Sequence, residues 1–154
     1  MSTAFWLGVG LVSAVIDELS IPAILKPGDV FIANGTSPIM QPSQYAIVWA
    51  ITSWSTPGEI GDWGHIVGIT DLRKDIKGQY WVEIGGLSVP HDFPAGPASV
   101  KAIFTESLGA AGSIRLSTRT WNVTVGEITS EERVTVGRGG VGAAVCDQLH
   151  GVGF

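Results

Sequence analysis

Apolar and polar positions along this chain alternate more often than they recur at helical spacing, and the alternation is densest after residue 64. Gly64 to Ile69 and Gln79 to Ile84 each read as a half-buried strand. The charged stretch Asp71 to Gly78 between them makes the two natural partners in a hairpin. Val100 to Thr105, Ser113 to Ser117, Trp121 to Glu127 and Arg133 to Val136 continue the pattern. The pair flanking Ile128 to Glu131 again reads as a hairpin. Ser88 to Pro97 carries Pro90, Pro94 and Pro97 and is excluded from the middle of a sheet, because proline cannot donate to a ladder.

The first half is mixed. Phe5, Leu11, Val12, Val15, Ile16 and Leu19 fit a helix over Thr3 to Leu19, capped by Ser2 or Thr3 and ended by Asp17, Glu18 and Pro22. The apolar run Ala4 to Ile16 is too short to span a bilayer and has no Lys or Arg before it. It reads as a buried helix rather than a leader or a membrane span. Lys26-Pro27-Gly28-Asp29 is a turn into the strand Val30 to Ala33, which Asn34-Gly35 closes. Gln44 to Trp54 suits a helix or a buried strand. Ser55 to Trp63 is a loop, and Ala143 to Leu149 suits a short terminal helix. The predicted fold class is therefore α+β: an antiparallel β-sheet or small barrel with an N-terminal helix and one or two further short helices, in a single domain over residues 1–154.

Composition narrows the function classes. Charged residues are 15% of the 154, against about 25% in ordinary soluble domains. Hydrophobic residues are 45%, with 21 glycines. The surface is accordingly poor in charge, as expected of a chain partly covered by other copies. The net charge of −5, with only nine scattered basic residues, excludes a nucleic-acid partner, which requires clustered Lys and Arg. Arg73, Lys74 and Lys77 form a loose group that reads as a solvated turn. One cysteine rules out an internal disulfide and a multi-cysteine zinc site. His65, His91 and His150 lack metal-ligand spacing, so no metal and no cofactor is expected. Gly137 to Gly142 lacks the Lys-Ser/Thr ending of a phosphate loop. Asn34-Gly35-Thr36 and Asn122-Val123-Thr124 match the glycosylation acceptor pattern, a tripeptide common by chance.

One set of pieces carries chemistry. Lys26-Pro27-Gly28-Asp29-Val30-Phe31-Ile32, Trp49 to Trp54, Trp63-Gly64-His65-Ile66-Val67-Gly68-Ile69 and Tyr80-Trp81-Val82-Glu83-Ile84 resemble the opening half of circularly permuted NlpC/P60 proteins, which are papain-like cysteine hydrolases. The resemblance covers about residues 25–85 plus Cys146. It implies a thiol nucleophile at Cys146, a base at His65 and an orienting carboxylate at Glu83. The implied activity is hydrolysis or acyl transfer at an amide or ester of a cell-wall peptide or an acyl lipid. The chemistry is coherent, because a thiol needs an imidazole to ionise near neutral pH and a third group fixes the tautomer.

A second reading stands beside it: a non-catalytic structural subunit, such as a viral capsid, decoration or tail protein, or part of another assembly. Phe5, Trp6, Trp54, Trp63, Phe93 and Phe154 fall near termini or in predicted loops. Aromatics so placed point to an interface, with self-association as a homo-oligomer or docking in a larger assembly under either reading.

Overall fold

Strand alternation decides the architecture. In the computed structural model, residues 16–37, 43–54, 64–75, 80–108 and 113–137 are described. Among them lie nine strands and one helical turn: β1 (Glu18–Pro22), β2 (Ile24–Leu25), β3 (Val30–Thr36), β4 (Ser43–Ser53), β5 (His65–Asp71), α1 (Leu72–Asp75), β6 (Trp81–Ser88), β7 (Gly96–Leu108), β8 (Ser113–Val125) and β9 (Arg133–Gly137). They form a four-stranded sheet, β6-β3-β1-β9, and a five-stranded sheet, β2-β8-β7-β4-β5. Every pairing is antiparallel except the two-residue β2–β8 contact. The sheets share one apolar layer. Leu19, Ile21, Phe31, Ala33, Val82 and Ile84 enter it from the smaller sheet, and Trp49, Ile51, Val100, Phe104, Trp121 and Val123 from the larger.

The predicted α+β class is thereby corrected to nearly all β. Of the predicted helix over 3–19, only residues 16–19 are described, and a strand already begins at Glu18. Leu19 and Ile21 point inward and Ser20 between them outward, a period of two that ends the helical pattern. The Gln44 to Trp54 stretch resolves as a strand, and Asn34-Gly35 continues β3 rather than closing it. The terminal helix over 143–149 lies outside the described residues.

Two expected hairpins are also corrected. β5 pairs with β4 and β6 with β3, so the strands carrying His65 and Glu83 belong to different sheets. The strand predicted to begin at Trp121 is the second half of the long β8, whose partner is β7, while β9 crosses to β1. A curled edge explains the first of these. At Gly68 a β-carbon would come within 2.6 Å of the Leu87 Cδ2, so glycine lets β5 lie against β6 without a hydrogen-bonded ladder.

Polar groups pin the entry of the chain onto the larger sheet. The Ile16 amide donates to Gln44 Oε1 at 2.8 Å, Gln44 Nε2 donates to Glu106 Oε1 at 2.7 Å, and Arg115 Nε donates to Glu106 Oε2 at 3.0 Å. Glu106 is only 2% exposed. Burial pushes its carboxyl up, but the hydrogen bonds from Gln44, Arg115 and Ser117 and the charge of Arg115 outweigh that effect. They hold the group below its ordinary value of 4.5.

A carboxyl held lower in the folded chain than in the unfolded one adds stability above the unfolded value. That stability disappears as pH falls through the folded value. Urea unfolding at a series of pH values should therefore show stability dropping from about pH 4.5 downward. Glu106→Gln should flatten that drop and cost about 1–3 kcal/mol at neutral pH through the lost charge-assisted bonds. An acid limb unchanged in Glu106→Gln would show that another carboxylate drives it.

Candidate functional site

Of the residues proposed for catalysis, His65 and Glu83 are described, and they stand on strands of different sheets. His65 opens β5 directly after Gly64, whose φ is +80° and whose β-carbon would meet the Ile51 carbonyl oxygen at 2.3 Å. The His65 side chain is exposed, and its ring meets Phe93 edge-on at 5.8 Å between centroids. Glu83 is exposed on the outer side of β6, opposite Asn34 of β3. Where β5 and β6 run alongside each other, Glu83, Ile84 and Gly85 flank a shallow depression with Ile69 and Thr70. Gly68 lies against Gly86 and Leu87. The strands thus run in opposite directions and Glu83 lies abreast of Ile69 and Thr70. His65 is four to five residues away, about 15 Å along an extended strand. Glu83 therefore does not orient the His65 ring in this arrangement. Cys146 lies outside the described residues.

The Pro27-Gly28-Asp29 turn has a structural explanation. Gly28 has φ +84°, and a β-carbon there would strike the His91 ring at 2.4 Å. Asp29 Oδ2 accepts from Thr129 Oγ1 at 2.9 Å, and the same hydroxyl accepts from the Lys26 amide at 3.1 Å. The motif thus clamps two loops across the end of the sandwich.

The outer sheet faces carry what the sequence reading did not locate. On the five-stranded sheet, Val48 pairs with Ile69 on one side and Ile103 on the other, while Ile66 stands opposite Ala50. Leu116 stands opposite Thr105 and Ile114 opposite Ser107 on the same face. Ile69 is 72% and Ile114 73% exposed, and Ile66 and Leu116 are also largely open. On the four-stranded sheet the pairings align Trp81, Thr36, Glu18 and Gly137 in one row across all four strands. Glu83, Asn34, Ser20 and Thr135 form the next row. Only the register creates these rows; strand periodicity shows which residues point outward but not which of them become neighbours.

A profile of the Nis1 family matches residues 12–125. The chain belongs to the Nis1 family. The match begins ahead of β1 and runs to the end of β8, so it takes in the whole five-stranded sheet and leaves β9 outside. No curated protein matches the chain. The resemblance to circularly permuted NlpC/P60 hydrolases is overturned. The stretch that carried it, about 25–85, lies within the Nis1 match, and no NlpC/P60 match accompanies it. Short turn-and-strand pieces such as Pro-Gly-Asp or Gly-His recur wherever β-strands begin, which explains how they aligned with an unrelated family.

The other expectations divide. Of the aromatics assigned to an interface, Phe93 is buried in the core and Trp54 is exposed, and Phe5, Trp6, Trp63 and Phe154 lie outside the described residues. The acceptor asparagines Asn34 and Asn122 are both exposed, on the outer faces of opposite sheets. Among the described residues no helix is long and apolar enough to cross a membrane.

Proposed function

We propose that this Nis1-family chain is a non-catalytic protein-binding domain that acts by seating the outer face of its five-stranded sheet on another protein, in the first place a second copy of itself. The observation that carries the reading is the apolar band Ile69–Val48–Ile103, flanked by Leu116, Ile114 and Ile66. It lies on the face turned away from the core. Monomers seldom leave contiguous apolar surface of this kind open to water. Asp71 with Arg73 and Lys74 borders it at one side, and Lys101 stands in the neighbouring row between Ala50 and Thr120. Two such faces stacked about a two-fold axis would bury both bands at the spacing of packed sheets, about 10 Å. The low charge of the whole sequence agrees with a covered surface.

Sedimentation velocity at micromolar concentration tests it. Wild type is expected to run heavier than the 16.2 kDa monomer. Ile69→Lys with Leu116→Lys should return it to monomer, weakening association on the order of a hundredfold, because two charges would be buried without partners. Both side chains are exposed, so folding should be spared. A wild type that stays monomeric throughout that range would remove the self-association reading.

A further inference from the structure

The outer face of the four-stranded sheet holds a depression of about 170 Å³ with a different character. Its lining includes Glu18, Ser20, Asn34, Thr36, Trp81 and Thr135. Trp81 is 74% exposed and forms one wall, and Tyr80 meets it edge-on at 5.3 Å. The Ser37 amide, which donates to the Tyr80 carbonyl at 2.8 Å, holds this aromatic pair beside the end of β3. Across the row from Trp81 stands Gly137, which adds no side chain to the row. The row spans four strands, about 14 Å.

Among the described residues no hydrogen bond engages the Glu18 carboxylate, the Asn34 amide group or the Thr36 and Thr135 hydroxyls. The neighbouring cation is already committed. Arg133 donates from Nε to Ser20 Oγ at 3.0 Å, and from Nη2 to the Ser20 carbonyl at 2.7 Å and the Ile32 carbonyl at 2.6 Å.

An exposed indole beside a short row of carboxylate, amide and hydroxyl groups, unpaired among the described residues, matches a ligand with one apolar face and hydroxyls around its edge. We propose that this depression binds a short neutral oligosaccharide. A sugar ring stacks its C–H face on Trp81, and its hydroxyls pair with Glu18, Asn34 and Thr135. Glu18 and Glu83 set two negative charges on these rows against the one positive charge of Arg133, whose partners are all neutral oxygens, and this balance disfavours sulfated or carboxylated glycans. The site lies on the sheet opposite the proposed protein-binding face and does not depend on it.

The test is calorimetric titration of the full chain with neutral hexasaccharides of glucose, mannose, galactose, xylose and N-acetylglucosamine, and with a heparin hexasaccharide. At least one neutral probe should bind, and heparin should bind more weakly or not at all. Trp81→Ala should weaken the neutral probe by about tenfold or more, and Asn34→Ala by about threefold or more. Trp54→Ala, on the opposite sheet, should leave binding unchanged, with thermal midpoints recording that all three variants fold. Absence of binding by every neutral probe would overturn the proposal. So would preference for heparin, or affinity indifferent to both Trp81→Ala and Asn34→Ala in folded protein.

Discussion

Replacing Trp121 by alanine is expected to lower the unfolding free energy by about 3–5 kcal/mol, enough to leave little of a typical stability of about 5–15 kcal/mol. Trp121 is wholly buried on β8 and stacks on Trp49 of β4, with centroids 5.6 Å apart and planes inclined by 27°. Its Nε1 donates to the Leu19 carbonyl of β1 at 3.1 Å, so one side chain joins the two sheets. Trp49 is tied in turn by Nε1 to Thr70 Oγ1 at 3.1 Å. Alanine would leave a cavity, take away the stacked face and strand a buried acceptor, each a separate loss. Phenylalanine keeps most of the volume and should cost only about 1–2 kcal/mol through the missing hydrogen bond and the shape change. Urea unfolding measures both changes, and near-ultraviolet circular dichroism should lose the signal of the stacked indoles. A loss under about 1 kcal/mol for the alanine variant would mean that the pair does not organise the core.

Arg119→Met is the second large effect, at about 2–4 kcal/mol. Arg119 is 4% exposed. Its guanidinium donates to the Asp17 carbonyl at 3.0 Å and to the Ile16 carbonyl, and lies over the Phe104 ring at 4.7 Å. It thereby fastens the approach to β1 against the larger sheet, where the Ile16 amide is already held by Gln44. Methionine fills similar space but supplies no donor, so two backbone acceptors lose their partner. Lysine should rescue little, because a single ammonium cannot reproduce the planar fork or its stacking. Hydrogen exchange gives the local readout: amides of β1 should lose protection more than those of β7. Uniform loss of protection across both sheets would assign Arg119 to global stability rather than to anchoring this segment.

Parts of β3, β7 and β8 were legible as runs of strand-forming residues: Val30 to Ala33 as a short apolar run after a turn, Val100 to Thr105, and Trp121 to Glu127. Which alternate set faces the core, Phe31 and Ala33 rather than Val30 and Ile32, only the structure shows. The first strand was obscured, since Ile16 and Leu19 also satisfy a helical period. Only the bonds from Gln44 and Arg119 to the approach, and the inward turn of Leu19 and Ile21, separate the two readings. The expected nearness of Glu83 to His65 was misleading in a similar way. Gly64-His65 and Glu83 are genuine strand features, but placing them together required β5 and β6 to pair.

What the sequence alone determined was that most segments after residue 64 extend, and that charged residues are few. These are local or summed properties, set by side-chain chemistry and a period of two. Which strands became neighbours was decided by the tertiary structure. β9 crosses to β1 although β8 precedes it, and β5 joins β4 although β6 follows it. Closing a longer loop costs little more than closing a short one, so the arrangement that best fills one core outweighs the nearest hairpin. The row from Trp81 through Thr36 and Glu18 to Gly137 follows from that choice: its members come from four strands scattered along the chain, and only the register of the assembled sheet makes them adjacent.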